Sequence, residues 1–523
     1  MHWARWGDPE RARPLPPAAA ALVDAAFGVR EQPTVPLEHV RLPEPALAAA
    51  RLEELRALLG AEHVLTDHDS RVRRTRGRST PDLLRMRAGD AADAPDAVLR
   101  PAGHDEVQAV LEWCSRRRVA VVPFGGGTSV VGGLVARRKG FAGVVALDLG
   151  RLRRLLRLDP TSRVAELEAG LLGPQAEALL AEHGMTLGHV PQSFEYASIG
   201  GFAATRSSGQ ASSGFGRFDA LVVGLRVATP LGTLELGRAP ASAAGPDLRQ
   251  LVLGSEGAFG VITSVSVRVR PVPETRVYEG WRFDSFTAGV DAARALAQSR
   301  QAPTVLRLSD EAETAVNLAD PGAVGAGSPG GCLLVAGFEG AAADAEASRA
   351  AASALLGAAG GQPLGEEAGA AWARGRFDGP YLRDSLLDAG VLVETLETAT
   401  FWSGLPELYR RVRAALEEAL AAQGTPPLVL CHVSHVYETG ASLYFTVAAR
   451  QAADPVAQWH AAKAAASEAI LAAGGTITHH HGVGRDHLPW FAREVGPVGV
   501  EVLRAVKARI DPAGVLNPGV LVP

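Results

Sequence analysis

Cysteine is scarce in this sequence, with Cys114, Cys332 and Cys431 standing far apart and no C-x-x-C pair among them. Three isolated thiols build neither a disulfide framework nor a cysteine-held structural zinc, and they suit a reducing cytoplasm. Lysine is equally rare, limited to Lys139, Lys463 and Lys507, so arginine carries nearly all the positive charge. In a chain this rich in alanine and glycine, that skew reads as coding bias rather than as a binding signal. Charge of one sign is also lacking: a formal net charge of −5 gives no broad basic face to grip nucleic acid. Residues 1–30 are charged throughout and lack the uninterrupted apolar core and cleavage site of a signal peptide. No apolar run is long enough to span a bilayer, so any membrane contact would be peripheral. What remains is an ordinary globular balance of 47% hydrophobic and 21% charged residues over 523 positions. A chain of that length is too long for one core and calls for roughly two to four domains.

Residues 45–60 (ALAAARLEELRALLG and its flanks) have helical apolar spacing, and short helical stretches continue to about residue 95. Next come a helix over 105–117, strands over 119–124, 143–148 and 163–169, and a helix over 173–184. Further strands are expected at 220–228, 232–236 and 261–270, closing at the PVPE of 271–274. A second domain opens with a strand and a helix, then runs through Ala/Gly-rich text at 340–375 that fits either loosely packed helices or a mobile surface. It ends with a strand over 441–448 and a helix over 455–472. The expected division is therefore an N-terminal helical region (1–94), an α+β domain (95–274), an α+β cap (275–470), and a His-rich loop with a C-terminal helical segment (471–523).

The strand VAVVPF runs straight into Gly125, Gly126, Gly127, Thr128, Ser129, Val130, Val131, Gly132 and Gly133. Glycine accepts positive φ and has no side chain to block an anion, so backbone N–H groups there can converge on a diphosphate. Such a cluster alone also fits a structural turn, and it is neither G-x-G-x-x-G nor a P-loop. Two further polar, glycine-rich segments follow, QSFEYASIGGFAATRSSGQASSGFGR (192–217) and GSEGAFGVIT (254–263). Together, P-F-G-G-G-T-S, I-G-G-x-x-A-T-x-x-S-G and G-S-E-G-x-F-G-V-I-T resemble the FAD-binding domain of the vanillyl-alcohol oxidase and p-cresol methylhydroxylase superfamily. The resemblance implies an α+β fold, with a two-subdomain FAD-binding domain of the vanillyl-alcohol oxidase type and a cap carrying an antiparallel sheet. It implies FAD contacts at Pro123, Gly125, Gly126, Gly127, Thr128, Ser129, Gly133, Ser193, Ser198, Gly200, Gly201, Thr205, Ser208, Gly209, Glu256, Val261 and Ile262. Some members anchor flavin covalently through a histidine or cysteine in these loops. The first loop here offers neither, so a dissociable FAD is expected.

Within that superfamily the chain is most similar to the alkyldihydroxyacetonephosphate synthase family over almost its whole length. The matching pieces are HWARWG near the start, LGHVPQSFEYASIGG, RLSD around Arg307, YLRD around Arg383, VLVETLET, SLYF and HHHGVG. The family exchanges the fatty acid of acyl-dihydroxyacetone phosphate for a fatty alcohol with no net redox change. The resemblance implies Tyr444 as general acid/base with His479, His480 and His481 as its partners, Arg307 and Arg383 on the substrate phosphate, and His189, Ser198 and Thr395 near the reaction centre. A phenol beside imidazoles suits proton relay, and planar, permanently charged guanidinium groups suit a phosphate. The expected partners are small-molecule lipid substrates and a second copy of the chain in a homodimer, in a cytoplasmic setting.

The related FAD-linked D-lactate, glycolate and 2-hydroxyglutarate dehydrogenases carry H-x-G-D-G-N-x-H and G-E-H-G-x-G, whose two histidines and glutamate bind a divalent metal. Here Tyr444 stands for the second histidine and His480 for the glutamate, so no metal is expected. His432 and His435, three apart on a strand, should lie on opposite faces and not share an ion. The closing LNPG (516–519) is more typical of the hydroxyacid oxidoreductases. It keeps open a redox activity on a 2-hydroxy acid such as D-lactate or glycolate. A flavin carrier without catalysis is disfavoured, because a carrier has no need of proton relays.

Overall fold

The computed structural model describes residues 1–12, 14–299, 302–325 and 330–523. Three large sheets organise them. The first runs in the order Val64–Leu65, Ala97–Leu99, Gly143–Asp148, Val119–Phe124, with its last three strands parallel. A parallel sheet is covered on both faces, which is why VAVVPF and GVVALD read as continuous apolar runs rather than alternating ones. The helix His104–Arg117 buries Val107, Val110, Leu111 and Cys114, the one-face spacing of an amphipathic helix.

The second sheet is antiparallel, in the order Leu155–Asp159, Val164–Glu168, Val261–Arg268, Val222–Thr229, Gly232–Leu236. It shares one apolar core with the first. The chain's end returns to this unit, where Leu516 bridges Val121 in parallel and joins that core.

The third sheet is antiparallel with seven strands: Gln362–Gly365, Thr275–Phe283, Cys332–Gly340, Val305–Ser309, Leu428–Val436, Gly440–Arg450 and Val391–Phe401. Strand alternation splits its side chains into two sets. Leu396, Cys431 and Phe445 enter a core with the helices Phe286–Gln298, Ala342–Ala358, Leu405–Ala421 and Pro455–Ala472. Their neighbours Thr395, His432 and Tyr444 line a cavity facing the first two sheets.

The Ala/Gly-rich stretch is two helices, Ala342–Ala358 and Glu366–Gly375. Its small residues have a packing reason: a Cβ at Gly369 would sit 2.3 Å from the backbone carbon of Tyr278, so the second helix rests directly on a strand. The first residues are not helical but bonded into the cap's side. Arg5 pairs with Asp388, the Trp6 amide donates to Asp384, and Arg87 bridges both carboxylates. The helix Pro17–Phe27 then packs Val23 on Val391 and Val393 of the cap sheet's edge strand.

Candidate active site

A cavity of about 750 Å³ lies between the glycine loops and the cap sheet. Apart from Gly209, every residue expected to touch FAD is on its wall. The loops are fitted to each other without spare room: a Cβ at Gly126 would fall 1.7 Å from the Tyr196 carbonyl oxygen, and one at Gly125 would fall 2.2 Å from Ser198 Oγ. The hydroxyl of Ser129 is buried on this wall with no protein partner, although buried polar groups are normally bonded. An orphaned donor on a glycine-lined surface suits the phosphates of a dinucleotide, and these residues fit FAD. Gly209 instead turns its carbonyl toward the cap, where His435 Nε2 donates to it at 3.0 Å.

On the opposite wall, Tyr444 sits across from His432 and Glu397 in the registers of its two neighbouring strands. Its ring stacks on His432 at 5.0 Å and on His480 at 6.2 Å, and meets His481 edge-on at 5.7 Å. The hydroxyl donates to Thr395 Oγ1 at 3.1 Å rather than to an imidazole. Burial pushes the phenol up to about 12, so it holds its proton at neutral pH. Burial likewise lowers His480 and His481 to about 4 against the opposing pull of Glu397, leaving both neutral acceptors. His479 is not on the cavity wall: its Nε2 bonds Tyr437 Oη at 2.6 Å and its Nδ1 meets His480 Nδ1 at 3.0 Å.

His432 and His435 both reach this cavity, contrary to simple alternation. A β-bulge between Val433 and His435 inserts one residue and resets the faces. The ring nitrogens of His435, His479 and His480 come within 4.8 Å of one another. Each of these rings already has partners, His435 with Gly209 and the serines 434 and 442, so an ion there would have to displace them.

The two arginines differ. Arg307 is held by Glu313, a buried carboxylate, and donates to His432 Nε2 at 3.0 Å, which leaves the His432 Nδ1 proton for Glu313 at 2.9 Å. The His432 ring and the Arg307 guanidinium keep Glu313 well below the carboxylate range despite its burial. Arg383, on the helix Gly379–Asp388, spends Nη1 on the Arg78 carbonyl and leaves Nε and Nη2 buried without partners at the cavity wall. His189 is away from the cavity, boxed between Phe202 and Phe218 at 4.8 and 5.0 Å and bonded to Ser207. Its position behind the flavin loop makes it a support of that loop.

Sequence reasoning missed the cavity's apolar limb, formed by Leu22, Phe27, Leu386, Val393, Leu428 and Ala448. The clue was the composition of PAAAALVDAAF, apolar around nearly the whole helix, which a lone surface helix would not be.

Two family models cover this architecture: "FAD binding domain" over residues 95–237 and "FAD linked oxidases, C-terminal domain" over 272–521. An alkyldihydroxyacetonephosphate synthase of Dictyostelium discoideum is 32% identical across 96% of this chain and 85% of its own length. This chain belongs to the alkyldihydroxyacetonephosphate synthase family. A solved alkyldihydroxyacetonephosphate synthase superposes with a TM-score of 0.85 at 28% identity, covering 99% of this chain and 98% of that one. p-Cresol methylhydroxylase, at 17% identity and a TM-score of 0.70 over 90% of this chain and 96% of its own, shows the same fold. FAD is the cofactor of this FAD-linked enzyme, and the fold is the α+β, vanillyl-alcohol oxidase type expected. Among the described residues no helix is long and apolar enough to cross a membrane.

Proposed function

We propose that this enzyme exchanges the acyl group of acyl-dihydroxyacetone phosphate for a fatty alcohol, using dissociable FAD and no metal. The observation that carries the reading is a single cavity holding three things at once. It has a phenol among neutral imidazoles, a buried guanidinium with two free donors, and an apolar limb. Phosphate on Arg383 would complete that side chain's bonding, because buried N–H groups such as its Nε and Nη2 are costly without acceptors. The limb takes the aliphatic chain and keeps water from the reacting carbon. Leu22, on the limb and 38% exposed, places its mouth at the surface, which supports peripheral contact with lipid.

FAD, when bound, supplies an electron-poor ring beside the reacting carbon. The net exchange breaks the bond from that carbon to the ester oxygen, forms one to the alcohol oxygen, and releases a fatty carboxylate and the alcohol's proton. Tyr444 Oη is protonated at rest and oriented by Thr395; it first passes its proton to a neutral imidazole, His480 or His481, the phenolate then takes the proton from that carbon, and the reverse steps return it. The test incubates chelator-treated holoenzyme with labelled fatty alcohol and acyl-dihydroxyacetone phosphate, and follows flavin bleaching by D-lactate, glycolate and 2-hydroxyglutarate in parallel. Labelled ether product is expected. Metal-dependent bleaching by a hydroxy acid with no ether product overturns the assignment.

A further inference from the structure

We propose that Glu397 is the positioning residue of the proton-handling loop: its carboxylate folds residues 478–481 around itself and so aims His480 and His481 at Tyr444. This deepens, and rests on, the proton-relay reading above. Glu397 is buried on the strand Val391–Phe401, directly across from Tyr444, and is not on the wall of the 750 Å³ cavity. Its Oε2 accepts the His479 amide at 2.6 Å. Its Oε1 accepts Thr478 Oγ1 at 2.6 Å and the amides of His480 and His481 at 3.1 and 2.9 Å. The His480 and His481 rings stand over the same group, with Nδ1 atoms at 3.5 and 3.8 Å.

Three successive backbone N–H groups on one carboxylate can be reached only if the chain curls tightly about it. That curl is what turns consecutive histidines toward different targets: His479 to Tyr437, and His480 and His481 to the cavity. Among the described residues no lysine or arginine forms an ion pair with Glu397; against the cost of its burial, the His480, His481 and His479 rings and then the Thr478 hydroxyl hold it far below the usual carboxylate range. Two residues on, the Glu256 carboxylate from the flavin domain accepts the amides of Val483 and Gly484 at 2.9 and 2.7 Å. The HHHGVG segment is thus strung between one carboxylate of the cap and one of the flavin domain, and Glu397 sets its histidine half.

Glutamine at 397 keeps the volume but turns an N–H₂ toward donors and removes the negative charge. Aspartate keeps the charge on a shorter arm. The groups facing His480 are Glu397, His481, Arg217, His432, His435, His479, His189 and Tyr444; those facing His481 are Glu397, His480, His487, Lys463 and Tyr444. Glu397 is the one that favours their protonated forms, so its neutralisation moves their titration down.

The test compares wild-type, Glu397→Gln and Glu397→Asp holoenzymes. For the Gln variant, flavin absorbance should stay near wild type, melting temperature should fall modestly as a donor loses its acceptor, and kcat should fall about tenfold or more. KM for acyl-dihydroxyacetone phosphate should hold within about twofold, and the acid limb of the pH profile should shift down. Most of kcat should return in the Asp variant. Independently of turnover, ¹⁵N-histidine spectra of the holoenzymes should show His480 and His481 titrating lower in the Gln variant. Should wild type make no ether product, those spectra alone decide the role of Glu397. Unchanged kcat, pH profile and ring titrations in the Gln variant would overturn the proposal. So would equal loss of flavin and fold in both variants, which would make Glu397 a structural staple.

Discussion

Replacing Tyr444 with phenylalanine removes one oxygen and nothing else from the cap wall of the cavity. The ring stays where its stacking on His432 and His480 places it, and the two strands that flank it keep their registers. The bond lost is the one to Thr395 Oγ1. A neutral buried hydrogen bond is worth about 1 kcal/mol, a small part of the roughly 5–15 kcal/mol that holds a domain together. Burial already keeps the phenol protonated, so no charge is removed at neutral pH. FAD binding should therefore be unchanged and melting slightly lower, while turnover falls by about 100-fold, near 2.7 kcal/mol of barrier. The assay pairs labelled-alcohol incorporation with flavin absorbance and a melting curve. A variant with full turnover and a clearly lower melting temperature would make Tyr444 a packing residue and refute the relay.

Denaturing the purified yellow protein should release intact FAD into the supernatant; flavin that precipitates with the chain would contradict a dissociable cofactor. Arg383→Met should raise KM for the phosphate-bearing substrate about tenfold or more, with a modest fall in melting temperature from the lost bond to the Arg78 carbonyl and the lost charge near buried Glu394. Arg307→Met should instead cost about 3 kcal/mol of stability by stranding buried Glu313, seen as a lowered melting temperature; an unchanged one would show the pair to be idle. Glu256 is raised to about 7, chiefly by burial, so the folded state binds its proton more tightly than the unfolded state does. The stabilisation of wild type relative to Glu256→Gln should thus be full below about pH 4.5 and be lost as pH rises through about 7, at about 1.4 kcal/mol per unit. A difference in melting temperature that does not vary between pH 5 and 8 would count against it.

The flavin domain was legible because its signals are local. VAVVPF and GVVALD are apolar runs bounded by turn residues, and they appear as Val119–Phe124 and Gly143–Asp148. The cap was harder to read, because four of its strands, Val305–Ser309, Cys332–Gly340, Val391–Phe401 and Leu428–Val436, are defined by pairing across long stretches of chain. VLVETLET drew attention only as a motif, although its alternation places Thr395 and Glu397 on one face and Leu396 on the other. His432 and His435 were misjudged because a bulge cannot be read from residue spacing. Arg307 and Arg383 look alike in sequence, each in a short charged motif. Only the neighbourhood of Glu313 shows that one guanidinium is spoken for.

The LNPG ending, which in sequence pulled toward hydroxyacid oxidation, loses that force once its contacts are known. Asn517, at a φ of +36°, donates through Nδ2 to the Gly133 carbonyl at 3.0 Å and to the Glu256 carbonyl at 2.7 Å. It latches the first and third flavin loops together from behind, and any enzyme built on these loops benefits whatever its substrate. The difference between the two chemistries must lie on the wall that meets substrate. There the chain presents Tyr444, whose phenol gives up its proton only near pH 12 and so makes a poor ligand for a divalent ion. Beside it are His480 and His481, held by Glu397 from beneath rather than aimed together at one point. Among the described residues on the cap side of the cavity a hydroxy acid would find no carboxylate to help hold an ion over its hydroxyl, since Glu397 turns both oxygens into its own loop.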